Sequence, residues 1–180
     1  MPIIQSMIRR RSVRRFTDKE VSREILMTCL QAAHLSPSAE NSQPWRYIIL
    51  DDPDLKTRFG ETVFTGVFSA TRWALKAPVL VAICADLDIL ANRMGKMFTG
   101  IPFYMLDVGM SGEHFALQAA EMGLGTCWIG WFNARRARKA LNIPRKYKPV
   151  CLLSLGYYEK KPAKEKKRRT LEEIVWFNSF

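Results

Sequence analysis

Apolar positions recur at helical spacing in some stretches of the 180-residue chain and run unbroken in others. Ile3 to Arg10 predicts a short helix. Ser22 suits the N-cap of a helix reaching about Leu35, because a hydroxyl there accepts one of the first N–H groups left without a partner. Ile25, Leu26, Cys29, Leu30 and Ala33 then share one face. A polar loop, SPSAENSQP, precedes WRYIIL (45–50), whose aromatic and β-branched residues predict a strand. Asp51 or Asp52 caps the next helix, with Pro53 in its first turn, and this helix runs to about Phe64. Residues 65–76 fit neither period. VLVAICA (79–85) reads as a buried central strand. Residues 87–105 match no template.

Leu106 to Met122 is apolar on most sides, as in a centrally buried helix, and Gly123 and Gly125 are expected to end it with positive φ. TCWIGWF (126–132) reads as extended. Asn133 caps a basic helix over 134–142, stopped before Pro144. VCLLSLGY (150–157) is a last core strand. The tail is charged and then apolar again, ending IVWFNSF, and a returning apolar segment implies docking, for which a second subunit is a candidate. Irregular alternation of strands and helices predicts an α+β fold with a mixed sheet in a single domain.

Composition changes this picture little, but charge changes it more. With 48% hydrophobic and 25% charged residues the chain is an ordinary globular one, not a disordered or low-complexity one. The longest apolar run, 77–85, is far short of the ~20 residues that span a bilayer. The N-terminus lacks a secretory pattern. Cys29, Cys84, Cys127 and Cys151 are scattered among apolar residues and read as buried, reduced thiols of a cytoplasmic protein. His34 and His114 have no ligand-spaced partners, so no metal site is expected. The net charge of +11 is uneven: residues 1–24 carry +4, residues 25–133 carry −3 and residues 134–180 carry +10. Clustered cations can meet nucleic-acid phosphates, hold one phosphorylated cofactor or stay solvated.

The common catalytic patterns are missing. GMSG (109–112) lacks the spacing of a nucleophile elbow, and GLGTCW (123–128) lacks the third glycine of a dinucleotide fingerprint. No second acid accompanies Glu113. Three segments nevertheless form a set. In Arg10-Arg11-Ser12-Val13-Arg14, alternate residues of an extended chain face one way, so Arg10, Ser12 and Arg14 can offer guanidinium forks and a hydroxyl to a phosphate. The loop 36–45 holds several amides and hydroxyls, which serve turns as readily as a ligand. In 123–130, glycines permit close approach of a flat ligand or serve turns.

In this order the segments resemble the FMN-dependent nitroreductase family. RRSVRRF is similar to its flavin-phosphate motif, SPSAENSQPWRYIIL to its second flavin loop and strand, GLGTCWIG to its segment over the flavin, and LGYYEKKPAKEKKRRTLEEIV to its last strand and C-terminal arm. The resemblance covers nearly the whole chain, most weakly at about 60–105. It implies an α+β fold with a mixed, mainly antiparallel sheet flanked by helices, a C-terminal arm exchanged in a homodimer, and FMN at the subunit interface. Arg10, Arg11, Ser12 and Arg14 would hold the phosphate and ribityl. Pro37, Ser38, Asn41 and Gln43 of the partner would meet the ring and ribityl. Ile129 and Gly130 would offer backbone groups near the reactive edge. Lys166 and Arg168 would return to the phosphate.

The resemblance further implies ping-pong transfer of hydride from NAD(P)H to flavin N5 and onward to a small electron-poor acceptor such as a nitroaromatic, a quinone or a flavin. No side chain need act as acid or base. Backbone donors and cations would stabilise the negative charge of the reduced ring. Alternatives are a reductive dehalogenase-like or otherwise specialised member, whose lid residues are not evident in 87–105, and a non-catalytic FMN-binding protein. A nucleic-acid module would need aromatics among its basic residues, and the basic tail has few. No nucleic-acid or membrane partner is therefore expected.

Overall fold

Ser22 accepts the Ile25 N–H, Asp52 the Leu55 N–H and Asn133 the Arg136 N–H, so three helices begin where side-chain oxygens stand ready to cap them. The computed structural model describes residues 3–88, 97, 100–159 and 166–180. In chain order the elements are α1 (Ile3–Arg9), α2 (Arg23–His34), β1 (Trp45–Leu50), α3 (Pro53–Val63), β2 (Val79–Asp86), α4 (Phe103–Glu121), β3 (Gly125–Ile129), α5 (Ala134–Ala140) and β4 (Tyr147–Gly156). The stretch Gly66–Lys76 that matched no template is 3₁₀ in character. Most of the other segment without a template, residues 89–96 and 98–99, lies outside the described residues.

The strands run in the order β1-β2-β4-β3, every pair antiparallel. The expected mixed, mainly antiparallel sheet gets its parallel part, among the described residues, from a single bridge, Ser12 to Thr126. β2 is buried along its whole length because helices cover both faces. Its side chains alternate between them: Val79, Val81, Ile83 and Ala85 pack with α2 and α4, while Leu80 and Ala82 pack with α3 and α5. This double cover produces the unbroken apolar run in an antiparallel strand.

α4 begins three residues before the expected start, and its burial is one-sided. Phe115, Ala116 and Ala119 are sealed in the core, whereas Met105 and Leu106 are about half exposed on the single chain. The expectation of positive φ holds for Gly123, at +80°, but not for Gly125. Gly125 already belongs to β3, and its missing side chain serves packing: a Cβ there would fall 2.5 Å from Val13 Cγ2. The segment 12–13 thus lies directly against the start of β3, where the Val13 N–H donates to the Thr126 carbonyl at 2.9 Å.

Candidate functional site

The bridge to β3 fixes the orientation of the N-terminal basic segment. Val13 is buried, while Ser12 and Arg14 on either side face outward. Arg10 Nε lies 3.1 Å from Glu113 Oε1 of α4, and Glu113 Oε2 also accepts the Trp128 indole N–H at 3.3 Å. The Arg14 guanidinium sits 5.7 Å above the Trp73 ring, a cation–π contact.

Lys166 returns to this place from the far end of the chain. Its ammonium donates to the Met7 carbonyl at 2.9 Å and to the Arg10 carbonyl at 2.6 Å. Burial, together with the positive charges of Arg10, Arg11 and Arg168, pulls its pKa below the ordinary lysine value, against the opposing pull of Glu113. Four cations therefore converge with Glu113 as the acid acting on Lys166. A cluster so short of negative charge favours a polyanionic ligand. Of the sequence-selected residues, Arg10, Arg11, Lys166 and Arg168 come together here, while Ser12 bridges to Thr126 and Arg14 lies over Trp73.

The loop 36–43 stands elsewhere on the chain, pinned to α4. Ala39 donates its N–H to Asp107 Oδ1 at 3.1 Å, and Ser36 Oγ meets His114 Nδ1 at 2.8 Å. Within the loop, Ser38 Oγ accepts the Gln43 N–H, and Gln43 Nε2 donates to the Asn41 carbonyl and Oδ1. Turn chemistry thus engages the Ser38, Asn41 and Gln43 side chains. Pro37 and Asn41 are exposed. Glu40, Asn41 and Gln43 have φ of +52°, +49° and +45°, a region costing a residue with a Cβ roughly 1–3 kcal/mol. Such strain is held where a site needs a particular backbone path.

At the other end of β3, Ile129 is buried and Gly130 is exposed, with open space where a Cβ would stand. The three glycines of this segment have three uses: a left-handed turn at Gly123, close packing at Gly125 and open space at Gly130. Thr71 and Trp131 tie the 3₁₀ stretch to the strand's exit: Thr71 Oγ1 donates to the Trp131 carbonyl and the Trp131 indole to the Val67 carbonyl, both at 2.7 Å. Glu113, Asp107 and Trp73 are participants that motif reading missed. A signal existed for Asp107, since Asp107, Ser111 and His114 are spaced i, i+4, i+7 along a helix that is apolar at most of its positions.

All four cysteines are buried and unpaired, and burial pushes Cys29 and Cys151 up to about 12, away from the thiolate form. Among the described residues no cluster of His, Cys, Asp and Glu is suited to a metal ion, and no helix is long and apolar enough to cross a membrane.

The nitroreductase family model matches residues 7–157. The chain belongs to that family and is an oxidoreductase of the nitroreductase type. An FMN reductase [NAD(P)H] of Bacillus subtilis is 27% identical, covering 96% of this chain and 72% of its own. An iodotyrosine deiodinase of Nematostella vectensis is 29% identical, covering 95% and 73%. The crystal structure of a nitroreductase family protein from Clostridium difficile 630 superposes over the full length of both chains with a TM-score of 0.84 at 27% identity.

Proposed function

We propose that this chain is an FMN-dependent oxidoreductase that takes reducing equivalents from NAD(P)H and passes them to small electron-poor acceptors such as nitroaromatics, quinones or flavins. The observation that carries this reading is the convergence of Arg10, Arg11, Lys166 and Arg168 with Glu113 as their counter-charge. The residues fit the FMN phosphate, and the open space at Gly130 fits a flat ring approaching the backbone. When bound, FMN supplies two-electron acceptance and donation. The chain's own part is to bind and orient. The basic cluster takes the phosphate, Glu113 steers the Arg10 guanidinium, and the backbone at Ile129 and Gly130 presents polar groups to the ring edge.

The reading includes a homodimer, in which Pro37, Ser38, Asn41 and Gln43 reach the partner's flavin. Its support is uncovered apolar surface. Met105, Leu106 and Met110 of α4 are exposed, and so is the C-terminal segment, with Phe177 86% and Phe180 98% exposed. β1 ends the sheet on one side, an edge a partner's arm can join. The whole chain acts as one such domain, and four buried free thiols suit the cytoplasm.

Titration of flavin-free protein with FMN and with riboflavin tests the site. Charge-assisted phosphate contacts contribute about 1.5–3 kcal/mol each, so FMN binds at least tenfold tighter. Equal affinity for the two flavins, or binding of neither, contradicts the proposal.

A further inference from the structure

Asp107, Ser111 and His114 form one polar stripe on α4, and each reaches a different point of the passage from α2 to β1. Ser111 Oγ donates to the Ala33 carbonyl at 3.0 Å and lies 2.7 Å from Tyr47 Oη, so it ties the end of α2 to β1. His114 holds Ser36 at the start of the loop. Asp107 holds Ala39, immediately before the left-handed residues Glu40, Asn41 and Gln43.

Asp107 differs from its two neighbours. It is only 2% exposed, and its Oδ2 has no hydrogen-bond partner among the described residues. A buried carboxyl group with half its bonding capacity unused opposes folding. An apolar residue here would escape that penalty and give up only the bond to the half-buried Ala39 N–H, so folding alone is a weak account of the acid. What it supplies is an acceptor for a single N–H, at the point where the loop turns into its strained path.

We propose that Asp107 is a positioning residue for the flavin site: its bond to the Ala39 N–H holds residues 39–43 in the path that presents the loop to the flavin ring, at the expense of stability. This rests on the FMN reading above. Asp107 acts through the loop and touches neither cofactor nor substrate.

The test compares wild-type protein with Asp107→Ala and Asp107→Asn by flavin titration, hydrogen exchange at residues 39–43 and melting of the flavin-free form. In Asp107→Ala, affinity for FMN and for riboflavin falls by the same factor, on the order of tenfold or more, because the misplaced loop serves the ring and not the phosphate. Exchange at Ala39 rises, and the flavin-free protein melts no lower than wild type. Asp107→Asn keeps an oxygen for the Ala39 N–H and restores the affinity. The proposal is overturned if Asp107→Ala binds flavin normally, if it melts lower or fails to fold, or if Asp107→Asn loses as much affinity as Asp107→Ala. Wild-type protein that takes up no FMN overturns the flavin reading and this proposal together, whereas the other failures leave the flavin reading standing.

Discussion

Arg10 and Lys166 are 156 positions apart in the chain, yet the Lys166 ammonium donates to the Arg10 carbonyl at 2.6 Å. This meeting joins the two basic ends of the chain, and two expected outcomes rest on it. Arg14 and Arg15 are both exposed, and Arg14 lies over Trp73. Arg14→Ala is expected to weaken FMN binding by roughly 10–150-fold, the equivalent of a 1.5–3 kcal/mol charge-assisted contact, and Arg15→Ala by much less. Equal losses in the two titrations would show that the alternation does not govern the clamp. Lys166 makes a pH prediction. Its pKa is lowered in the folded chain, so the unfolded chain binds more protons between that lowered value and the ordinary 10.5. Stability of the flavin-free wild type must therefore rise with pH relative to Lys166→Met through that window, and chemical denaturation at stepped pH reads it. Part of the cluster was legible, because the run Arg10-Arg11 and the basic tail are written in the sequence, but alternation does not select it, since Arg11 acts on Lys166 as Arg10 does. Glu113 as the partner of Arg10 was not, since a single acid on a helix carries no pairing signal until the fold brings the arginine to it.

The elements were legible wherever local chemistry decides them. The caps at Ser22, Asp52 and Asn133 fixed three helix starts, and the apolar run at 79–85 marked the central strand. Gly125 was misread because a glycine after a helix signals a turn, while its actual use is to admit Val13, 112 positions away. That use yields a test. Gly125→Ala would force Val13 Cγ2, 2.5 Å from the new Cβ, away from β3. Overpacking of this kind costs about 1–3 kcal/mol. The same shift disturbs residues 10–14, so weaker FMN binding accompanies the lower stability. A variant as stable as wild type and binding FMN as tightly would refute the role given to this contact. The start of α4 was misplaced for a similar reason: Met105 and Leu106 are apolar and yet exposed on the single chain. Apolar periodicity reports that a face is to be covered, not by what.

At the scale of the whole molecule the uneven charge and the uncovered apolar surface belong together. Both basic ends of the chain converge on one cluster, and the segment beyond Lys166 carries exposed aromatics, with Trp176 and Phe180 stacked at 4.1 Å on each other. Deleting residues 170–180 is expected to lower both the dimer fraction in sedimentation and the flavin content of the purified protein. A truncated monomer at micromolar concentration that keeps its FMN would contradict the dimeric site. The resemblance carried the family and the fold because four motifs stand in register over the chain, but no residue pattern states which acceptor the enzyme reduces. On this reading the basic cluster holds a working FMN. Anaerobic addition of NAD(P)H to the purified protein, followed by absorbance, reads this out. The protein is expected to be yellow, to bleach, and to regain its colour when an electron-poor acceptor such as a quinone is added. A colourless protein that takes up no FMN, or a yellow one that NAD(P)H leaves unbleached, would contradict it.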